Sequence, residues 1–194
     1  IRELSDVRLL PFTVKDDLRN TYPFGMFGVP RKEVVRIHAS SGTTGKPTVV
    51  GFTKADLDVW SDCVARFCTA AGVTEDDTAQ VSFGYGLFTG ALGLHMGLEK
   101  VGASIIPISS GNTDKQLMLM EDLGTTVLIA TPSYALYLGE MIRERGLADR
   151  LRLRVGLFGS ESCTPEMRTE IEKNMNLFAT DNYGLSECGG PGMS

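Results

Sequence analysis

The sequence has no excess of positive charge. Its 194 residues include 19 Lys and Arg against 24 Asp and Glu, which gives a formal net charge of −5. A protein that binds nucleic acid needs a basic face for the phosphate backbone, so this composition argues against a nucleic-acid partner. A single nucleotide stays compatible with it, because a nucleotide site needs only a few well-placed donors.

Cysteine and histidine are also scarce. The chain has four cysteines and two histidines, and no two cysteines form a C-x-x-C pair. Their spacing matches no zinc site, and a domain of this size needs no disulfides. We therefore expect four reduced cysteines. The sequence also lacks a Ser-His-Asp or Cys-His signature for a protein nucleophile.

No charged residue occurs from Ala79 to Leu98, a stretch long enough to span a bilayer. The stretch contains five glycines and several polar residues, and it reads better as a strand, a loop and a short helix. Gly93 and Gly97 imitate the G-x-x-x-G helix-pairing motif, but the match is weak in this polar setting. We therefore expect no membrane segment.

The chain begins at Ile1 without an initiator methionine or a signal segment, and it ends at Ser194 just after a motif-rich stretch. We interpret residues 1–194 as a single α/β domain excised from a longer cytoplasmic protein. A Pro- and Gly-richer segment before Val34 is interpreted as a lead-in to that domain.

Short apolar runs alternate with helical patterns along the chain. Strands are predicted at Val34–Ala39, Thr48–Phe52, Ala79–Phe83, Ser104–Ile108, Thr126–Ala130, Leu153–Phe158 and Leu177–Thr180. Helices are predicted from the Thr53 cap to about Ala71, at Gly90–Val101, at Thr113–Leu123 with Thr113 as cap, and from Pro132 and Thr164 onwards. This alternation predicts a doubly wound, mainly parallel sheet with helices on both faces. Ligands of such sheets gather where strands end.

The segment Ser40–Pro47 concentrates four hydroxyls, two glycines and a lysine between two predicted strands. Glycine lets backbone N–H groups converge on an anion, hydroxyls donate from the side, and Lys46 supplies a full charge. The composition predicts a phosphate-binding loop. A flexible Ser/Gly linker is the alternative, but the Lys-Pro step into an apolar strand disfavours it.

A Walker P-loop is excluded by spacing. That motif has four residues between its first glycine and Gly-Lys, and its lysine is followed by Ser or Thr at the start of a helix. Here two residues separate Gly42 from Gly45, and Pro47 follows Lys46 into a strand.

Two further polar segments follow predicted strands. Asp181–Glu187 reads Asp-Asn-Tyr-Gly-Leu-Ser-Glu, and by itself it looks like a polar turn. Its hydroxyl and carboxylate suit a phosphoryl site, because Mg²⁺ prefers one or two carboxylates together with substrate phosphates. Phe158–Ser162 lies between a strand and a helix, where a plain tight turn is nearly as good an interpretation for any single residue.

Together these motifs resemble the adenylate-forming superfamily of acyl-CoA synthetases, adenylation domains and luciferases. The resemblance implies that Ser41, Thr43, Thr44 and Lys46 hold the β- and γ-phosphates of ATP, that Tyr183 brackets adenine, that Ser186 contacts the α-phosphate and that Glu187 binds Mg²⁺. The implied nucleotide site further includes Ser40, Gly42, Gly45, Gly159, Ser160, Glu161, Asp181 and Gly184. Lys46, Ser186 and Glu187 are the implied catalytic residues.

Within that superfamily the whole chain is most similar to the phenylacetate–coenzyme A ligase family. The similarity lies in the Leu10–Gly25 lead-in, in Arg36–Ala39, in Phe83–Phe88, in Pro107–Ser109 and in the Gly-Leu-Ser-Glu run with its following glycines. A phenyl ring needs an apolar, aromatic-lined slot. The predicted walls are Tyr85, Phe88, Ala130 and Pro132, and plain core packing is the alternative interpretation of the two aromatic residues.

The resemblance implies a reaction in two steps. A carboxylate attacks the α-phosphorus of ATP to give acyl-AMP and pyrophosphate, and the thiol of coenzyme A then displaces AMP. The family's ribose aspartate, hinge and mobile C-terminal domain with its lysine lie outside this chain, so we expect it to be inactive alone. Family members are often dimers, which makes a homodimer an expectation.

Two alternatives stay open. One is a nucleotide-binding module without turnover, against which the intact Lys46 and Glu187 argue. The other is an adenylating enzyme for a different acid, such as benzoate or an amino-aryl acid, or for a carrier-protein thiol.

Overall fold

A six-stranded sheet with helices on both faces forms the body of the molecule, in the order β4-β3-β5-β6-β7-β8. The computed structural model describes residues 2–40 and 45–193. The first five strands of the sheet run parallel, and β8 is antiparallel to β7. A separate two-stranded antiparallel sheet is formed by β1 and β2. The predicted doubly wound α/β class is confirmed.

The elements alternate in chain order after the first sheet. The strands are β1 (Arg36–Ala39), β2 (Val49–Phe52), β3 (Thr78–Val81), β4 (Ser104–Ile106), β5 (Val127–Ala130), β6 (Val155–Gly159), β7 (Phe178–Leu185) and β8 (Gly190–Met193). The α-helices are α1 (Lys15–Asn20), α2 (Lys54–Ala70), α3 (Thr89–Val101), α4 (Thr113–Asp122), α5 (Pro132–Glu144) and α6 (Pro165–Met175). Short 3₁₀ helices occur at Leu4–Leu9, Arg31–Glu33, Ala148–Arg150 and Ser186–Cys188.

Helix starts follow the predicted capping chemistry with one exception. The Thr53 hydroxyl accepts from the Asp56 N–H, and the Asp56 carboxylate accepts from the Thr53 N–H, which completes a capping box for α2. The prediction that Thr113 caps α4 is wrong. Asn112 is the cap, because its side-chain oxygen accepts from the Lys115 N–H, 3.2 Å away, and Thr113 is the first helical residue.

Three strand predictions also need correction. The first two strands form an antiparallel hairpin apart from the main sheet, so the parallel pattern begins only at β3. The last predicted strand, Leu177–Thr180, continues to Leu185, and so Asp181–Leu185 is strand where a turn was expected. The strand β8 was not predicted at all.

Both faces of the sheet are buried, and β5 shows how. Val127 and Ile129 pack into a core shared with α2 and α3, whereas Leu128 and Ala130 pack into a second core shared with α5 and α6. Successive side chains of a strand point to opposite faces. A strand that is covered on both faces buries every side chain, and those of β5 are all apolar, which is why Val127–Ala130 reads as an unbroken apolar run.

The entering ends of three neighbouring strands are tied together by one carboxylate. Asp77, which is 3% exposed, precedes β3, and it accepts from Arg154 Nε at 2.8 Å and from Thr126 Oγ1 at 2.6 Å. Arg154 precedes β6 and Thr126 precedes β5. Burial works to raise the pKa of Asp77. Hydrogen bonds from Arg154, Thr126 and Thr74, together with the charge of Arg154, outweigh burial and hold the pKa below the ordinary 3.8.

No helix in the described ranges is long and apolar enough to cross a membrane. The stretch from Ala79 to Leu98 is β3, a loop and most of α3, as predicted. Gly93 and Gly97 serve the packing of α3 on α2. A Cβ added at Gly93 would lie 2.5 Å from Trp60, and one at Gly97 would lie 2.4 Å from Val64 Cγ1.

The close approach of α3 to α2 predicts a steric cost at Gly97. We expect Gly97→Ala to lower the free energy of unfolding by about 1–3 kcal/mol, because the added methyl would meet both the side chain and the backbone of Val64. Urea denaturation of the full-length protein measures this. Gly90→Ala on the same helix is the control, since its Cβ would meet nothing nearer than the Ser160 hydroxyl at 4.0 Å. Equal stability of the two variants would contradict the packing argument.

The low pKa of Asp77 predicts an acid-dependent loss of stability. Because its folded pKa lies below its ordinary 3.8, ionised Asp77 stabilises the fold above that pH, and the contribution is lost as the pH falls through the folded pKa. We expect Asp77→Asn to cost about 3 kcal/mol at pH 7 and progressively less below pH 3.8. Denaturation midpoints of both proteins from pH 7 to pH 3 test this. A gap that does not change with pH would contradict it.

Candidate nucleotide site

A cavity of about 550 Å³ opens where the parallel strands end. It draws its walls from the ends of β1, β3, β5, β6 and β7, from the start of α3 and from α1. The described residues that line it are Lys15, Ser40, Phe83, Gly84, Phe88, Thr89, Gly90, Ala91, Leu94, Thr131, Gly159, Ser160, Asn182, Gly184, Leu185, Ser186 and Glu187. The volume is in the range of small-molecule sites, and the position is the one expected for a doubly wound sheet.

The strand β7 and the turn after it supply one wall. Gly184 and Asn182 lie on alternate positions of β7, and Ser186 and Glu187 begin the 3₁₀ turn that ends it. Tyr183 lies between Asn182 and Gly184, is not among the described lining residues and is 65% exposed. Asp181 lies on β7 in register with Phe158, and it is not among the described lining residues.

The end of β6 brings two more predicted residues to the cavity. Gly159 is in register with Asn182, and a Cβ on Gly159 would lie 2.4 Å from the Asn182 carbonyl oxygen, so glycine permits the two strands to meet there. Ser160 follows with a φ of 71°. Glu161 turns aside, and its carboxylate accepts from the Ser133 hydroxyl at 2.5 Å and from the Ser133 N–H at 3.3 Å.

The predicted phosphate loop reaches the cavity through Ser40. Its hydroxyl accepts from the Thr48 N–H at 2.9 Å, which fixes the loop's two ends against each other. Gly45 has a φ of 138°, a conformation that favours glycine. Lys46 is exposed, with its Nζ 5.3 Å from the centre of the Tyr22 ring. The remaining predicted phosphate ligands lie outside the described residues; they are Ser41, Gly42, Thr43 and Thr44.

Lys15 and Glu187 form an ion pair within the cavity lining. Lys15 Nζ lies 3.4 Å from Glu187 Oε1, and the Glu187 side chain is 22% exposed. Burial works to raise the pKa of Glu187, but its own backbone N–H and the Lys15 ammonium outweigh that effect, so the pKa lies below its usual value. Glu187 is therefore ionised at neutral pH and can serve as an anionic ligand.

Glu187 fits the role of a magnesium ligand that shares its metal with a substrate. Among the described residues no cluster of three His, Cys, Asp or Glu side chains could hold a metal by itself. Mg²⁺ commonly binds through one or two carboxylates plus substrate phosphates. The buried Glu187 Oε1, which accepts no hydrogen bond within the described residues, is such a carboxylate oxygen.

Of the four residues predicted to enclose an aryl group, one lines the cavity. Phe88 does so and is 52% exposed. Tyr85 instead forms a 3.0 Å hydrogen bond between its hydroxyl and His95 Nδ1, and burial raises its pKa to about 12. Ala130 and Pro132 are buried on either side of Thr131 in the chain, and Thr131 lines the cavity. Their role as acid-pocket walls stays a prediction.

Sequence reasoning missed several lining residues. Lys15 was seen only as part of the lead-in, and nothing in its neighbours along the chain marks it as a site residue. Asn182 and Thr131 are neighbours of predicted site residues in the chain. Their positions at the ends of strands are the signal that could have identified them. The apolar part of the wall was also missed; it consists of Phe83, Ala91, Leu94 and Leu185.

Comparison with curated proteins gives relatives of one kind. The chain is 51% identical over 192 residues to the phenylacetate-coenzyme A ligase of Pseudomonas putida, covering 98% of this chain and 44% of that protein. It is 53% identical to the enzyme of the same name from Escherichia coli (strain K12), over 100% of this chain and 45% of that protein. The chain thus spans less than half the length of these relatives.

Solved structures agree with this relationship. The 2-hydroxyisobutyryl-CoA ligase in its postadenylation state, in complex with 2-HIB-AMP, superposes with a TM-score of 0.85 at 26% identity. The match covers 97% of this chain and 42% of that one. The same ligase in complex with 2-HIB-AMP and CoA matches with a TM-score of 0.85 at 27% identity, over 92% of this chain and 40% of that one.

The model of one protein family, described as AMP-binding enzyme, matches residues 26–194, which is most of the chain. That range includes the phosphate loop, the end of β6 and the Gly184–Glu187 segment, and all three meet at the cavity through described residues. The chain belongs to the AMP-binding enzyme family.

Proposed function

We propose that the full-length protein uses ATP to convert an aryl carboxylic acid, phenylacetate, into an acyl-adenylate and then into its coenzyme A thioester. The carboxylate oxygen forms a bond to the α-phosphorus as the bond to the β-phosphate oxygen breaks, releasing pyrophosphate. The thiol sulfur then attacks the acyl carbon and AMP leaves. Two relatives that carry the name of that ligase are 51% and 53% identical to this chain over the aligned residues, which make up 44% and 45% of their own lengths.

One observation carries the proposal. Three segments that are far apart in the chain converge on a single cavity, at the edge of the sheet where the parallel strands end. They contribute Ser40, Ser160 and Glu187 to its lining. Hydroxyl groups and a carboxylate gathered at one point suit a polyphosphate with its metal better than they suit a purely apolar ligand.

The residues of this chain would act by binding and positioning. Ser40, Ser160 and Ser186 each offer a hydroxyl donor to phosphate oxygens, and Glu187 offers a carboxylate to Mg²⁺, whose charge would offset that of the phosphates. No protein nucleophile is required, because the substrate carboxylate itself attacks. The contribution of the site is then alignment of the reacting atoms and stabilisation of developing charge.

The apolar residues that line the cavity suit the organic part of the acid. Phe83, Phe88 and Leu94 line it together with Ala91 and Leu185. Apolar and aromatic walls of this kind favour burial of an aryl ring over a hydrated small acid such as acetate. Phe88 supports this proposal because it lines the cavity, whereas the Tyr85 hydroxyl is hydrogen-bonded to His95.

The proposal extends to the rest of the enzyme. Coenzyme A is the proposed acceptor, in keeping with the solved relative that holds both an acyl-adenylate and CoA. A cytoplasmic location, dependence on Mg²⁺, a mobile C-terminal domain and a homodimer are further parts of the proposal.

Acid-dependent exchange of pyrophosphate into ATP tests the first half-reaction. In the full-length protein we expect exchange with phenylacetate that exceeds exchange with benzoate or acetate. Glu187→Gln should lower this exchange by about a hundredfold, because it removes the charge that would hold the metal among the phosphates. Glu144→Gln, at the exposed end of α5, is the matched control and should leave exchange unchanged.

The outcomes separate the remaining functions. ATP binding without exchange for any acid would leave a nucleotide-binding module and refute the ligase. Exchange that is faster with another acid would keep the enzyme and change its substrate. Thioester formation with a carrier protein in place of coenzyme A would change the acceptor.

A further inference from the structure

Lys15 is the one basic residue among the described residues that line the cavity. It belongs to the first turn of α1, and it precedes the residues 26–194 that the family model matches. Its Nζ lies 3.4 Å from Glu187 Oε1, an oxygen that is buried and accepts no hydrogen bond within the described residues. The structure therefore places a cation beside the carboxylate that was expected to hold the metal.

The helix that carries Lys15 lies next to the segment that carries Glu187. Leu18 is one turn further along α1, on the same side as Lys15, and it lines a second cavity of about 490 Å³ with Phe27 and Phe52. That second cavity shares Ser186 and Glu187 with the first. The helix of Lys15 and the Ser186–Glu187 segment therefore border the same two cavities.

The side chain of Lys15 has the freedom that its backbone lacks. It is 52% exposed, and an ammonium on a four-carbon stem can turn between neighbouring oxygens with little cost. An ion pair of this exposure contributes little to stability. Lys15 can therefore leave Glu187 for a more highly charged partner.

The other lysine of interest lies elsewhere. Lys46, the lysine of the predicted phosphate loop, is exposed and has its Nζ over the Tyr22 ring. A polyphosphate that enters the cavity would meet Lys15 beside Ser186 and Glu187, the two residues expected next to its α-phosphate and metal.

We propose that Lys15 is a phosphate-binding residue of the nucleotide site, paired with Glu187 in the free protein and with the β- or γ-phosphate of bound ATP. This deepens the proposed function and rests on it. The exchange of partners leaves the Glu187 carboxylate available to a divalent cation at the moment when the polyphosphate arrives. The ammonium then faces the pyrophosphate half of ATP, which takes up negative charge as it leaves.

Nucleotide binding to the full-length protein tests the proposal without relying on turnover. Lys15→Met keeps the length of the side chain and removes its charge. By titration calorimetry without divalent metal, we expect it to weaken ATP about tenfold and AMP less than about twofold, because AMP lacks the outer phosphates. Lys15→Arg should retain most of the ATP affinity. Lys100→Met removes a lysine that pairs with Asp62 away from the cavity, and it should change neither ligand's affinity.

A double variant separates phosphate binding from simple neutralisation of Glu187. If Lys15 only offsets that carboxylate, Lys15→Met combined with Glu187→Gln will recover wild-type ATP affinity, which would overturn the proposal. Unchanged ATP affinity in Lys15→Met, or equal weakening of ATP and AMP, would also overturn it. A tenfold loss that persists in the double variant supports it.

Pyrophosphate supplies a second readout. In acid-dependent exchange, Lys15→Met should raise the KM for pyrophosphate more than it lowers kcat. If wild-type protein shows no exchange with any acid, the proposed ligase function fails, whereas the difference between ATP and AMP binding still decides the role of Lys15.

Discussion

The alignment of the central strands depends on the buried carboxylate of Asp77. Arg154, Thr126 and Thr74 direct five donors to its two oxygens, and Arg154 also donates to the Gly72 carbonyl at 2.7 Å. A buried charge is tolerated only when its hydrogen-bonding capacity is filled. Because these donors come from the entrances of β3, β5 and β6, satisfying one carboxylate fixes where three neighbouring strands begin, and so where their exits come together to form the cavity floor.

The two buried faces of the sheet explain which parts of the fold could be predicted. Strand β5 is apolar at every position and β6 consists of apolar residues and glycine, and that pattern is readable without a partner. The far end of β7 differs, since Asp181–Leu185 is polar and partly exposed. It is a strand because β8 satisfies its backbone groups in antiparallel register, and backbone pairing leaves no side-chain pattern in the sequence. The same holds for β1 and β2, whose apolar runs give no sign of strand direction.

The candidate site was predictable to the extent that its chemistry is local. Ser186 and Glu187 are close neighbours in one motif, and Gly159 and Ser160 follow a recognisable strand, so each carried a signal in its own surroundings. Lys15 did not, because its importance comes from a contact with a residue at the opposite end of the chain. Tyr85 is the converse case. Its loop position is that of a pocket residue, but a hydrogen bond to His95 on α3 determines where its ring lies.

The structure uses ion pairs in two ways that differ in geometry and in function. Asp77 is almost wholly buried, and the Arg154 guanidinium donates to both of its oxygens. This is a buried bidentate ion pair with a structural role. Glu187 faces the half-exposed ammonium of Lys15, with 3.4 Å between Lys15 Nζ and Glu187 Oε1. Such a pair is strong enough to keep the carboxylate ionised and too weak to compete with a divalent cation and a polyphosphate. Asp77, where the strands begin, is a structural carboxylate. Glu187, where the strands end, has a partner that it can exchange for a divalent cation.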